Sequence, residues 1–285
     1  MTIKVRTLDA TFGACISDVD LEALSDAAWQ EIEAAFHEHA LLIFPAQELS
    51  DAGQLSFAKR FGDIEVMTEN TPTLTLTNRS PSGELLAGDD DRTQFTRGNE
   101  GWHTDSSYMP RTAKASVVSA RVVPSSGGQT QWADARAAYD VLDDRTREQI
   151  TGLAAYHSYF YSQAKIGHDV AVGSEYGFFD GQRPLHPLVK VHSATGRPAL
   201  YIGRHVWKVP GLEQREMDDL LDRLTTLTCS APRTVSHQWQ GGDVVVWDNR
   251  CLLHRAQPYD DAEPRVLMHT RVRGDVAFET ALNYQ

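Results

Sequence analysis

Trp102-His103-Thr104-Asp105 places an imidazole and a carboxylate two residues apart, and a third metal-ligating side chain, His254, lies about half the chain further on. In an extended strand, residues i and i+2 point to the same face, so His103 and Asp105 would project side by side. Two imidazoles and one carboxylate on one face of a divalent ion leave three adjacent positions open, the facial arrangement of non-haem Fe(II) oxygenases. A His-x-Asp pair alone is common by chance. The constraint it sets here is topological: if His103, Asp105 and His254 meet, the strands around them must share one sheet system. That argues for a single domain over 1–285, although 285 residues could also make two.

Strands are read near both ligand segments. Ile3–Arg6 and Ala14–Ile16 flank a turn at Gly13, and Ala40–Phe44 is a short apolar run stopped by Pro45. Ser25 is placed to cap a helix through about Glu38, with Trp29, Ile32 and Phe36 as its apolar stripe. Ser50 caps a second helix carrying Leu55, Phe57, Ala58 and Phe61, closed by Gly62. Thr73–Thr77 alternates strictly, and Ala115–Val123, Gln129–Trp132, Ala155–Tyr161, Thr234–Trp239, Asp243–Trp247 and Arg265–Val272 also read as strands, the last three separated by turns at Gly241-Gly242 and Pro258–Asp261. Leu212–Leu227 is an amphipathic helix. Two long connections, Asn78–Glu100 (with Asp89-Asp90-Asp91 as a solvated tip) and Ser162–Gln182, have the length of functional loops and are expected to act as lids. Short antiparallel strands with long connections predict a mainly-β jelly roll, a double-stranded β-helix core with flanking α-helices.

The formal net charge of −12 disfavours nucleic acid and anionic membranes as partners, and an anionic substrate would need local arginines. No apolar run reaches the roughly 18 residues of a membrane span. Met1–Arg6 lacks the apolar core of a secretory signal. Cys15, Cys229 and Cys251 form neither a zinc spacing nor a disulfide framework, which fits a reducing cytoplasm.

A metal with three protein ligands can take a bidentate 2-oxo acid and still hold O2. The far carboxylate of that acid needs a charged partner, preferably an arginine fork. Arg265, eleven residues past His254, is the candidate, and Thr130, after the Gly127-Gly128 turn, can hydrogen-bond the near carboxylate. A hydrolase has no use for such a clamp, so Arg265 and Thr130 separate an oxygenase from a zinc hydrolase. A metal-free jelly roll that binds a small molecule is the other alternative.

Taken in order, Trp102-His103-Thr104-Asp105, Pro124-Ser125-Ser126-Gly127-Gly128-Gln129-Thr130, Trp247-Asp248-Asn249-Arg250 with His254, and Arg265 resemble the Fe(II)/2-oxoglutarate-dependent dioxygenases of the taurine dioxygenase and 2,4-D dioxygenase type. Leu41–Pro45 and Phe57–Gly62 extend the resemblance to nearly the whole chain. It implies Fe(II) held by His103, Asp105 and His254, 2-oxoglutarate held by Thr130 and Arg265 near Trp247, O2 as oxidant, and self-association into a homo-oligomer. Asn99 matches a substrate-contacting Asn of taurine dioxygenase. Where that enzyme has a sulfonate-gripping Arg, four residues past the co-substrate Arg, this chain has His269, with Arg271 two further on.

Blocks at Ala133–Asp140, Tyr161–His168, Ile202–His205 and Asp248–Arg255 are most similar to bacterial aryloxyalkanoate dioxygenases. The implied substrate is a small aromatic carboxylate, with Lys165, Arg204 and His205 as candidates for its carboxylate. Hydroxylation beside the ether oxygen would release a phenol and a 2-oxo acid, with succinate and CO2 from 2-oxoglutarate. The same chemistry on a sulfonate, a sulfate ester or an amino-acid derivative is the alternative within the family.

Overall fold

Every residue of Leu41–Phe44 and Val244–Asp248 is buried, and successive side chains of a strand go to opposite faces. Leu42, Phe44, Val244 and Val246 pack on a helical layer, whereas Leu41, Ile43, Val245 and Trp247 enter a second core. These strands sit inside a seven-stranded sheet ordered Lys4–Thr7, Ala14–Ser17, Leu41–Phe44, Val244–Asp248, Ala113–Val122, Val266–Arg273, Leu74–Thr77. All neighbours are antiparallel except Ala14–Ser17 with Leu41–Phe44. The computed structural model describes residues 2–66, 71–170 and 181–285.

The helical layer is Asp26–His39 and Asp51–Phe61, started by the expected caps: Ser25 accepts from the Ala28 N–H and Ser50 from the Gly53 N–H. Trp29, Phe36 and Phe57 each meet Phe61 edge-on at 4.8–5.3 Å. Burying a side chain of this size contributes about 1.5–3 kcal/mol.

A three-stranded sheet, Thr234–His237, Thr130–Asp134 and Leu252–Ala256, lies across the second core. Trp132 of the small sheet meets Trp247 of the large one with ring centres 5.7 Å apart. The chain passes from the large sheet to the small one at two corners: from Ala113–Val122 through Gly127-Gly128 to Thr130–Asp134, and from Val244–Asp248 through Asn249-Arg250 to Leu252–Ala256. Helix Gln214–Thr228 buries Met217, Leu220 and Leu224 in the same core. Among the described residues no helix is long and apolar enough to cross a membrane.

Two local expectations are corrected. Asp89-Asp90-Asp91 is not a loop tip, because the Asp90 carboxylate accepts from the Arg92 N–H and starts helix Asp91–Gly98 inside the polar connection. The strand expected over Ala155–Tyr161 stops at His157, where Ser158 caps helix Tyr159–Ala164. Of the connection 162–182, residues 171–180 lie outside the described residues.

Because the helical layer and the second core lie on opposite faces of the large sheet, Phe57→Ala should lower unfolding free energy by about 3–5 kcal/mol in urea titration while leaving divalent-metal affinity unchanged. A loss of metal affinity in the folded variant would mean that the two faces are not independent.

Candidate metal centre and cavity

His103 and His254 are paired by two backbone hydrogen bonds, His103 N–H to the His254 carbonyl at 3.0 Å and His254 N–H to the His103 carbonyl at 2.8 Å. Their rings face each other with centres 4.1 Å apart. The segment is extended only up to this isolated bridge, and Asp105 opens a turn instead of continuing a strand. Gly203 lets another backbone approach here: its φ is +132°, and a Cβ there would lie 3.0 Å from the Trp102 carbonyl oxygen and 3.2 Å from His103 Cα. Ligand atoms of His103, Asp105 and His254 lie within 4.8 Å of one another, and all three residues are buried.

The Nδ1 of His103 lies 2.7 Å from the Gly101 carbonyl oxygen. A carbonyl only accepts, so Nδ1 carries the proton and Nε2 is left bare as a ligand. Burial pushes His103 down to about 4, and burial, with His103 beside it, holds His254 well below its ordinary range. Both rings are therefore neutral at physiological pH, as metal ligation requires. Burial alone would raise the Asp105 carboxyl, but Arg271, His254 and His269 hold it well below the usual carboxylate range.

Two residues that the motifs left without a role aim this carboxylate. The Ser116 hydroxyl donates to Asp105 Oδ2 at 2.6 Å and accepts from the Asn249 amide at 2.8 Å, and Asn249 Oδ1 accepts from Trp247 Nε1 at 3.0 Å. Ser116 is in register with both Trp247 and Arg271, so one rung of the large sheet carries all three toward the site. Asn249 lay in a quoted motif but had no assigned function; a serine within a β run carries no signal of its own.

From the three ligand side chains a cavity runs between the sheets, enclosing about 840 Å3 including its mouth. One part of its lining is Leu76, Val118, Thr130, Trp239, Trp247, Leu267 and Arg265. Arg265 is buried, stacks 5.5 Å from Tyr259, and donates to the Gly128 carbonyl at 3.3 Å. Its Nε has no partner and no carboxylate pairs with it among the described residues, so burial pushes it down to about 10. A bound carboxylate would supply the missing charge. Thr130 lines the cavity and its hydroxyl accepts from Trp239 Nε1 at 2.9 Å. Trp247 packs 4.8 Å from the His254 ring, with its indole N–H turned to Asn249. The donor set, two neutral imidazoles and an aspartate with a nearby orphaned guanidinium, fits an Fe(II) ion with a dicarboxylate co-substrate.

Another part of the lining is aromatic: Phe95, Tyr108 and Tyr159 cluster together, with His205 5.0 Å from Tyr108 and 5.5 Å from Tyr159. Asn99, His205, His269 and Arg271 all line the cavity. Lys165 and Arg204 do not. Lys165 is exposed, its ammonium 4.9 Å from the Tyr161 ring. The Arg204 guanidinium is engaged by the Gly98 and Ser162 carbonyls and by Gln163, tying two short helices together. Arg271 reaches the cavity but pairs with Asp105 at 3.0 Å.

A second buried group with ligand-like spacing, His192, Asp248 and Cys251, is structural. Arg250 donates to Asp248 Oδ1 at 2.8 Å and already supplies the cation.

The chain matches the description of the taurine catabolism dioxygenase TauD, TfdA family over residues 4–271. It is 48% identical to an (S)-phenoxypropionate/alpha-ketoglutarate-dioxygenase of Sphingobium herbicidovorans, over 98% of this chain and 97% of that one. It is 34% identical to the alpha-ketoglutarate-dependent 2,4-dichlorophenoxyacetate dioxygenase of Cupriavidus pinatubonensis, over 96% and 99%. The crystal structure of AAD-2 in complex with Mn(II) and N-oxalylglycine superposes with a TM-score of 0.88 at 36% identity, covering 96% of this chain and 98% of that one.

A histidine whose folded pKa lies below its unfolded value favours the unfolded chain as pH falls, because the unfolded form takes the proton first. For His103 that share of stability is complete above 6.5 and is lost as pH falls through about 4. The unfolding midpoint of metal-free protein should therefore drop between pH 6.5 and 4, and drop less in His103→Gln. Equal profiles would contradict the buried neutral imidazole.

Proposed function

Since this chain belongs to the TauD/TfdA family of dioxygenases, we propose that it oxidises an aryloxyalkanoate, with Fe(II) held by His103, Asp105 and His254 and 2-oxoglutarate held by Arg265 and Thr130. The observation that carries this reading is Arg265, a buried guanidinium without a carboxylate partner, at a cavity that begins at two imidazoles and an aspartate. A zinc hydrolase would leave that charge without a purpose. The facing sheets, joined by a chain corner just before His254, support a double-stranded β-helix in one domain. The connection 78–100 and the described part of 162–182 would then close over the cavity.

When bound, iron and 2-oxoglutarate supply the oxidation of a substrate C–H to C–OH, yielding succinate and CO2. The protein's share is positioning and exclusion of water. Arg265 would neutralise the far carboxylate of the co-substrate, Thr130 would hydrogen-bond the near one, and Trp247 would brace His254. Phe95, Tyr108 and Tyr159 would take an aryl ring, with Asn99, His205 and His269 as the polar groups facing its carboxylate. Hydroxylation of the carbon bearing the ether oxygen gives a hemiacetal, which collapses to a phenol and a 2-oxo acid. The relatives named for phenoxypropionate and 2,4-dichlorophenoxyacetate support this substrate class. His269, standing where taurine dioxygenase has an arginine, argues against a sulfonate. Three free cysteines support a cytoplasmic setting; a homo-oligomer rests on the family resemblance alone.

Anaerobic Fe(II) plus 2-oxoglutarate should give a visible metal-to-ligand band, and aryloxypropionates or aryloxyacetates should release succinate faster than sulfonates or sulfate esters do. His103→Ala should make no succinate; turnover in that variant would exclude it as a ligand. Arg265→Gln should raise KM for 2-oxoglutarate by roughly 30-fold or more, the factor expected when one partner of a buried charge pair is removed. An unchanged KM would dissociate Arg265 from the co-substrate.

A further inference from the structure

Behind Asp105 lies a buried polar group centred on Arg271. Arg271 Nη2 is 3.0 Å from Asp105 Oδ1, and its Nη1 donates at 3.3 Å to both the Ser106 and Tyr108 hydroxyls. The Ser106 hydroxyl in turn donates to the Glu65 carboxylate at 2.8 and 2.9 Å, and the Glu65 N–H donates to the Arg271 carbonyl at 2.9 Å. Ser106 holds φ +54°, a region uncommon for a residue with a Cβ. The other carboxylate oxygen, Asp105 Oδ2, accepts from Ser116 and lies 3.3 Å from His269 Nε2 and 3.7 Å from His254 Nε2. The two oxygens are thus differently committed, one to a guanidinium and one toward the histidines.

The coordination count gives that difference a purpose. Two imidazoles and one carboxylate oxygen take three of six positions, a bidentate 2-oxo acid takes two, and one is left for O2. A carboxylate binding through both oxygens would take that last position or displace half of the chelate. We infer that Arg271, with Ser106 and Glu65 behind it, is a positioning residue for the metal: it engages Oδ1 of Asp105 and leaves Oδ2, the oxygen on the side of the histidines, to face the ion. The inference rests on the reading of His103, Asp105 and His254 as ligands. It removes Arg271 from the groups that would hold the substrate anion.

The test is anaerobic titration of 2-oxoglutarate into Fe(II)-loaded protein, following the visible band, in wild type, Arg271→Gln and Arg271→Lys. Arg271→Gln should shift the band and weaken 2-oxoglutarate binding by about tenfold or more, the usual scale for removing a partner of a metal ligand. Arg271→Lys should recover most of the loss, and the substrate KM should change far less than 2-oxoglutarate binding. If Arg271→Gln does not fold, Ser106→Ala, which leaves the Arg271–Asp105 contact but removes its support from Glu65, should move the band in the same direction by less. An unshifted band with wild-type 2-oxoglutarate affinity, or an effect confined to substrate KM, would overturn the inference. Absence of the band in wild type would instead overturn the ligand assignment beneath it.

Discussion

Two backbone hydrogen bonds between His103 and His254 join parts of the chain about half its length apart, and the candidate site depends on them. They bring the residues into register as an antiparallel pair, so the two imidazoles come together without further adjustment. The pairing needs Leu252–Ala256 in the small sheet and the Asn249-Arg250 corner that carries the chain there from the large one. It also needs a residue without a side chain at position 203, because that backbone presses against Trp102 and His103. Entropy opposes closing so long a connection, and the fully buried cores on the two faces of the large sheet offset that cost.

Charge is distributed unevenly around this junction. Asp105 is buried but matched by Arg271, with Glu65 and Ser106 behind, so the metal-free site already holds its anion in place. Arg265 is buried and unmatched. Leaving a buried charge without a partner is destabilising, and a dicarboxylate arriving in the cavity relieves it. The cavity lining thus carries both a group prepared for a cation and a group prepared for an anion. An aromatic wall of Phe95, Tyr108 and Tyr159 remains for a second guest.

Local signals were legible where the partner lies close in sequence. Ser25 and Ser50 cap the helices they precede because the bond spans three residues, and the unbroken apolar run Val244–Trp247 marks a strand buried on both faces. Legibility failed where a side chain chooses among distant partners. Asp90 looks like part of an acidic loop until its carboxylate is seen to cap a helix. Arg204 and Lys165 carry the charge a substrate carboxylate needs, but carbonyls of two helices engage the first and the Tyr161 ring the second. Ser116 orients Asp105 from a strand of unremarkable sequence, because only sheet register brings it there. The spacing of His103 and Asp105 suggested a strand, whereas the chain turns at Asp105 and leaves His103 as the last bridged residue.

The family relationship and the site geometry come from separate observations and converge on oxygen chemistry at one divalent ion. A crystal structure of this chain grown anaerobically with Mn(II), with data collected for anomalous scattering, reads that claim directly. The account predicts one strong peak within bonding distance of His103 Nε2, Asp105 Oδ2 and a nitrogen of His254, with the remaining positions open to solvent or co-substrate. A peak ligated by other residues, or none at saturating Mn(II), would contradict it.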